Sequence, residues 1–572
     1  MNENNTFKGF ETWFNNVRMA LKMHMYIIII DLAVCLLIAS SIVYYRHGDD
    51  LIILADHLIL SLLLWKFANV YDVLVLVKKI FWANRLFYAA APILVGIPFY
   101  AFILWYFGKR SAKQQSDEYI SGSQLIPVSK IEKKLRKIDT AIPLGELTIP
   151  VADETKHFFV VGRTGSGKTQ VMKRALTHLQ AQGAKIICYD NKGDYLPSNY
   201  DPDRDIIFNP TDSRSVAWSL MNDAMDTLDI DQVICHSFFP DSVSRDPFWE
   251  DAAREVLRSV LYYVLRSSRG QKIKNKQIWD TLQSGAANIG TILRTIPEGK
   301  IGLQMISEAT SKQTQGIMAN LLKDVAILEL MARQDGDFSV RAWLHDPTPG
   351  TLYVVNHSKS KDILKPILTL LIDVAAHEIL SMPDDHNRRI YIFLDEFGSL
   401  NPMNSIIELL TRARSKGASV WLGTQEIGQI EKLYGRELRA AIINGCATKV
   451  ILSVAEPDTA TYLSDMIGET EIRSANETQS MGPANLRDGL SFSKNIRTKK
   501  LLLPSDLQSL RDLEAIVKLA NYSYARTYIP FIKYFACHQY FLIRNDMRLS
   551  AFSAALREYN DGLPTNKISH EF

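Results

Sequence analysis

A chain of 572 residues, 47% of them hydrophobic and 22% charged, carries enough apolar material for about three or four folded domains, which excludes a disordered or low-complexity protein. Its formal net charge of +3 is too small to mark a nucleic-acid binder by bulk charge, so any such contact has to come from local clustering. Five cysteines (Cys35, Cys188, Cys235, Cys446, Cys537) stand apart with no C-x-x-C, so neither a disulfide framework nor a zinc site is suggested; they fit small buried hydrophobes in a reducing compartment.

Residues 1–25 precede the first long apolar run and read as a cytoplasmic N-terminus. Tyr26 to Tyr45 is twenty residues with Asp31 as its single charge, and Leu86 to Phe107 is twenty-two with none. Each is long enough to cross a hydrocarbon core of about 30 Å, and Tyr26, Tyr44, Tyr45, Trp105 and Tyr106 sit at the ends, where amphipathic aromatics prefer the interface. The first run starts too far in, and lacks a small-residue cleavage site, for a removed signal peptide, so it reads as a retained anchor. Asp31 costs roughly 3 kcal/mol at a bilayer centre and less toward an interface, where its position puts it.

Between the two runs, residues 46–85 read as a small periplasmic segment that includes the apolar Leu51 to Trp65, too short and too charged (Asp56, His57) for a third span. Lys109, Arg110, Lys113, Lys130, Lys133, Lys134, Arg136 and Lys137 crowd the side after the second run, which places that side, and with it both termini, in the cytoplasm.

From residue 108 the pattern changes. Phe158 to Val161 is an apolar run of strand length, Gly162-Arg163-Thr164-Gly165-Ser166-Gly167-Lys168-Thr169 fits G-x-x-x-x-G-K-[ST], and Gln170 to Gln182 has helical spacing. This is a Walker A loop in its strand-loop-helix setting. The glycines let successive N–H groups, down to Gln170 at the helix start, close around phosphates where the helix dipole favours anions. Lys168 then reaches the β/γ-phosphates of ATP and the Thr169 hydroxyl ligates Mg²⁺.

Strands are expected at Phe158 to Gly162, Lys185 to Asp190, Asp205 to Phe208, Thr351 to Asn356, Arg389 to Asp395, Ser419 to Gly423 and Lys449 to Val454. Alternating with helical patterns, they predict an α/β, RecA-like P-loop NTPase domain whose parts are residues 108–222 and 346–572. Residues 223–345 lose the strand signal and read as an all-α insertion. Asp246-Pro247-Phe248-Trp249 predicts a helix start, with Trp249, Ala253, Val256, Val260 and Val264 on one apolar face.

Ile390 to Glu396 is an apolar strand ending in two carboxylates, the Walker B pattern: Asp395 for the Mg²⁺ shell, Glu396 to orient and polarise the attacking water. Ser419 to Gln425 ends beside it in a parallel sheet, making Gln425 a candidate sensor of the γ-phosphate. Asp190-Asn191-Lys192-Gly193-Asp194 ends a strand on the same edge, in a structural or a supporting role. Arg412 and Arg414, in the basic turn Thr411 to Gly417, are candidates for a cation that acts on a neighbouring subunit's nucleotide, or else a solvated face.

The two N-terminal runs, the Gly162 to Thr169 loop, Tyr189 to Asp194, Asp246 to Trp249, Leu394-Asp395-Glu396-Phe397 and Leu422-Gly423-Thr424-Gln425 resemble, in order, the type IV coupling proteins of conjugation, the TraD/TrwB family. The resemblance implies a bacterial inner-membrane ATPase with ATP and Mg²⁺ as cofactors, embedded in membrane lipids and assembled as a homo-hexamer. It also implies partners: DNA, a relaxase with its relaxosome proteins, and the components of a type IV secretion channel. Two further classes share the motifs, an ATP-binding receptor that docks substrates without pumping and a chromosome-segregation DNA translocase. The sequence departs from some TraD proteins in having no long acidic tail, and closes on Asn566 to Phe572. Arg487 to Lys500, basic and with Phe492 as its one aromatic, reads as a surface loop or as a segment that tracks a nucleic-acid strand.

Overall fold

The computed structural model describes residues 5–64, isolated positions between 71 and 106, 118–480 apart from 137, 225–226, 241–246, 335, 358 and 404, and 489–547. They fall into two units, one of Met1–Ile120 with Glu471–Arg497 and one of Ser121–Thr470 with Thr498–Phe572.

The first unit holds a continuous helix, Asn5–Leu64, about 90 Å long at 1.5 Å per residue. No proline falls inside it and its glycines, Gly9 and Gly48, are far apart, so nothing in the covalent chain breaks it. Within it His24–Arg46, 23 residues with a mean hydropathy of 2.6, is long and apolar enough to cross a membrane, and this span contains the predicted Tyr26 to Tyr45. The helix runs on through Arg46 to Leu64, taking in all but the last residue of the apolar Leu51 to Trp65 and just under half of the separate segment expected over residues 46–85. The second predicted span, Leu86 to Phe107, and the cations Lys109, Arg110, Lys113 and Lys137 lie largely or wholly outside the described residues.

Three strands, Glu118–Gly122, Glu469–Ser480 and Gly489–Lys500, form a sheet with Glu469–Ser480 in the middle. The stretch from Gly489 is therefore a strand and not the expected surface loop. Leu490, Phe492 and Ile496 share the period-two spacing of a strand, a signal that the basic composition obscures.

The second unit is built on a ten-stranded sheet. Its order is Leu125–Ile126, Tyr524–Tyr528, Glu514–Lys518, Thr448–Ile451, Phe158–Val161, Ala418–Thr424, Ile390–Leu394, Lys185–Asp190, Gly350–Val355 and Ile206–Phe208. All seven strands expected from the sequence are present, and every pairing among them is parallel. Glu514–Lys518 and Tyr524–Tyr528, which the sequence reading missed, add an antiparallel margin beyond Thr448–Ile451.

Buried on both faces, the parallel strands sort their side chains by alternation into two cores. Phe159, Val161, Ile187, Ile392, Leu394, Val420 and Leu422 join the face that carries the helices Phe248–Ser267 and Lys361–Ser381. Phe158, Val160, Ile186, Cys188, Phe393 and Trp421 join the face covered by Val171, Met172, Ala175, Leu176 and Leu179 of the helix Lys168–Ala181. Trp421 lies flat between Phe158 and Phe393, with ring centroids 3.9 and 5.2 Å away. Aromatic pairs add about 0.5–1.5 kcal/mol each beyond area burial.

Between Phe208 and Gly350 the described residues form helices and no strand, and the buried Asp223 ties the two ends of that region together. Its carboxylate accepts from Trp218 Nε1 at 2.7 Å and from the Val340 and Arg341 amides at 3.1 and 2.9 Å, at the start of the helix Val340–His345. The helix after Pro247 starts at Phe248 and buries Ala253, Val256, Val260 and Val264 as expected. Trp249 stays 41% exposed against Gly316, and Asp246 lies outside the described residues.

Beyond Tyr528 the chain turns into an irregular strap, residues 529–547, laid across the ends of the strands. Its amides at Cys537 and His538 donate to Pro197 O, the Tyr540 hydroxyl donates to Asn356 O, and Leu542 O accepts from Ser213 N. Arg544, 4% exposed, donates to Pro210 O and pairs with Asp546.

Candidate active site

The strand Phe158–Val161 is anchored on both sides, and the loop that leaves it is shaped by backbone needs. A Cβ at Gly162 would stand 2.5 Å from Ser166 Oγ, while Gly165 and Gly167 have φ of 84° and 111°, the left-handed region that glycine adopts without strain. Gly167 ends the loop, and Lys168 begins the helix with its first-turn N–H groups turned to the cleft. Arg163 leaves the loop outward: its Nε donates to Ser453 Oγ at 3.1 Å and its guanidinium pairs with Asp512 at 2.6 Å.

Lys168 extends to the end of the Ile390–Leu394 strand. Its ammonium is 2.6 Å from Asp395 Oδ1 and 3.8 Å from Glu396 Oε2, and all three side chains are less than a tenth exposed. Gln425, at the end of the neighbouring strand, bridges the two halves. Its Nε2 donates to Glu396 Oε2 at 2.7 Å while its Oε1 accepts from Thr164 Oγ1 at 2.8 Å. Glu396 Oε1 is buried with no hydrogen-bond partner. The parallel register brings these residues together: Leu422 lies opposite Leu394 and Thr424 opposite Val161, so the strands end side by side.

Among the described residues no cluster of three or more His, Cys, Asp or Glu could hold a metal. Mg²⁺ needs only one or two protein oxygens, with waters and phosphate oxygens for the rest, and a carboxylate beside a hydroxyl is a donor set of that kind. Asp395 and Thr169 are the residues here able to hold it.

Asp190 takes a structural part. Fully buried, its carboxylate accepts four amides, Gly193, Asp194, Tyr195 and Leu196, at 2.8–3.1 Å, and fixes the turn. Burial pushes its pKa up to about 6 against the pull of those donors. The turn sets Lys192 and Asp194 on the wall of the same cleft, about 450 Å³ in volume, with Thr164, Lys168, Thr169 and Gln170.

Asp512, Leu513 and Phe531 complete that wall, and the sequence reading passed over all three. Leu513 has a left-handed φ of 67°, donates its N–H to Ser166 O at 2.9 Å, and packs on Gly167. No local pattern announces such contacts, since their partners are more than 340 residues away in the chain.

Arg412 and Arg414 lie at the other edge of the sheet, in the turn that enters the strand Ala418–Thr424 and not at the end that leaves it. They are exposed, and with Arg389, His386 and Lys416 they line a separate cationic cleft of about 660 Å³. Within one chain they therefore do not meet Lys168. Behind them is His157, 2% exposed and with φ 56°, whose Nδ1 accepts from Val420 N at 3.1 Å. Burial, with the Arg414 charge adding, lowers its pKa to about 4.

Residues 141–528, more than half of the chain, match the family described as the type IV secretion-system coupling protein DNA-binding domain. Coupling protein TraD of Escherichia coli (strain K12) is 28% identical over 447 residues, 77% of this chain and 62% of TraD, so the match spans less than two thirds of that relative. Conjugal transfer protein TraG of Rhizobium radiobacter is 21% identical over 286 residues, covering 48% of this chain and 44% of that protein. Among solved structures, the bacterial conjugative coupling protein TrwBdeltaN70 in its unbound monoclinic form has a TM-score of 0.66 at 22% identity, covering 75% of this chain and 97% of that one. The plasmid coupling protein TrwB in complex with ADP and Mg²⁺ has a TM-score of 0.64 at 22% identity, covering 75% of this chain and 98% of that one. At that identity the likeness is one of fold, a RecA-like sheet with a helical insertion.

Proposed function

The chain belongs to the family of type IV secretion-system coupling proteins, and from that premise we propose that it is a Mg²⁺-dependent, DNA-stimulated ATPase that drives DNA transfer in conjugation. In this reading it sits in the bacterial inner membrane with most of its length in the cytoplasm. There it receives a relaxase bound to DNA, with its relaxosome proteins, and passes it to the channel components. The single observation that carries the ATPase reading is the convergence of Lys168, Asp395, Glu396 and Gln425 on the phosphate loop. TraD is named a coupling protein and TrwB holds ADP and Mg²⁺ in its complex, which supports the same choice.

The N–H groups from Gly165 to Gln170 bind the phosphates, and Lys168 shares its charge between the terminal phosphates and Asp395. Asp395 and Thr169 would hold Mg²⁺, which when bound would supply charge neutralisation at the transferring phosphoryl group. Glu396 holds and polarises the attacking water through Oε1, while Gln425 fixes the other carboxylate oxygen. Since Gln425 also holds Thr164 of the loop, it couples the state of the terminal phosphate to the position of the base, which is a sensor's task. In this reading Arg412 or Arg414 serves the site of a neighbouring subunit in a homo-hexamer, a role that their exposure supports.

The test is Glu396→Gln in the full chain: nucleotide binding is retained and turnover falls by about 10² to 10⁴. Turnover equal to the parent's removes Glu396 from its role. A receptor that docks without pumping is separated by turnover that no single- or double-stranded DNA stimulates. A chromosome-segregation translocase is separated by conjugative transfer that survives deletion of the chain. For topology, a reporter active only in the cytoplasm is expected to work after Lys113 and to be silent near Asn69, with the opposite result reversing the orientation.

A further inference from the structure

We infer that the ring of Phe531 is the platform on which the base of the bound nucleoside triphosphate stacks, an inference that rests on the nucleotide reading above. The direction of the ligand follows from the loop. Lys168 points to Asp395 and Glu396, so the terminal phosphate lies at that end of the cleft. The nucleoside must leave by the opposite end, past the first turn of the helix at Gln170. That end is closed by the strap. Ile529 N donates to Leu513 O at 2.7 Å and Ile532 N donates to Gln170 Oε1 at 3.1 Å, so the backbone on both sides of Phe531 is tied to the phosphate-loop region.

Between those two ties the Phe531 side chain lines the cleft and remains 66% exposed. A large ring held at this cleft and left open to solvent suits a flat, apolar ligand surface, and every nucleobase has one. Leu513, seated on the loop through Ser166 O, adds an apolar neighbour, and the nearby Asp512 is engaged by Arg163 at 2.6 Å. The wall therefore offers faces more than base-edge partners. It recognises a base as a ring and discriminates little between adenine and guanine.

Calorimetric titration of the full chain in detergent with Mg²⁺, using ATP, GTP and inorganic tripolyphosphate, tests this. Phe531→Ala is expected to weaken ATP and GTP by a similar factor, roughly tenfold, while tripolyphosphate binds as before, and Phe531→Trp restores the loss. Unchanged ATP binding in Phe531→Ala overturns the platform, and so does an equal loss for tripolyphosphate, which has no base. If the parent binds none of the three, the nucleotide reading itself falls; if Lys168→Ala removes all three while Phe531→Ala leaves ATP and GTP binding unchanged, that reading stands and only the platform is lost.

Discussion

The two edges of the ten-stranded sheet carry the same kinds of charged residue in opposite circumstances. At the edge where the strands end, the Lys168 ammonium sits within 4 Å of both the Asp395 and the Glu396 carboxylates with almost no solvent. At the edge where they begin, Arg412 pairs with Glu408 at 2.9 Å with both side chains about 60% exposed. Electrostatic interactions strengthen as water is excluded, so the first group is set up to act inside its own chain. The second spends Arg389 on the buried Glu154 at 2.9 Å but leaves Arg412 and Arg414 exposed, which is what donors to another molecule need.

If that contrast is right, the largest effect belongs to the exposed edge once chains assemble. One of Arg412→Ala and Arg414→Ala is expected to cut turnover by about 10³ or more with ATP binding intact, and specific activity of the parent should rise with protein concentration. Mixing that variant with Glu396→Gln chains should recover part of the activity if each edge serves a different subunit. Constant specific activity across a dilution series would collapse the distinction between the edges.

The next effect is on stability, through His157. Its folded-state pKa of about 4 lies below the ordinary 6.5, so protons bind the unfolded chain more readily. Its contribution is whole above pH 6.5 and is lost as pH falls toward 4, by at most about 3 kcal/mol. His157→Asn tolerates the left-handed φ and offers an oxygen in place of Nδ1; denaturant unfolding at pH 7 and pH 4.5 should show a smaller acid loss than in the parent.

Gln425→Leu probes the bridge on the buried edge. Losing its bond to the Glu396 carboxylate should cost about 2 kcal/mol, roughly thirtyfold in turnover, read by steady-state hydrolysis with nucleotide affinity measured alongside. The smallest change is expected for Glu408→Gln, since an exposed pair contributes about 0.5 kcal/mol or less; a thermal shift of several degrees would mean that the cationic edge is more enclosed than it looks.

The parallel half of the sheet was legible because strands buried on both faces have to be apolar throughout, as in Phe158 to Val161 and Ile390 to Leu394. Walker A and Walker B were legible for a similar reason: phosphate and metal chemistry fix residue types at short spacings. Glu514–Lys518 and Tyr524–Tyr528 mix Glu, Lys and Arg into half-covered strands, so their signal is weak. The role of Asp190 needed coordinates, because a carboxylate at a strand's end looks the same in sequence whether it serves a ligand or four amides. Phe531 was illegible for a different reason, since it belongs to the cleft only through ties to Leu513 and Gln170 that no local pattern encodes.

The strap also sets a timetable for the ribosome. Gln170 and Ile532 are 362 positions apart, so at about 5–20 residues per second the second half of the cleft follows the first by roughly 20 to 70 s. Through most of that interval the strands that flank Phe158–Val161, Ala418–Thr424 and Thr448–Ile451, are also still to be made, so neither end of the cleft is complete. On the nucleotide reading, the cleft therefore has little to bind with until these late segments arrive, after the apolar N-terminal helix has already been made.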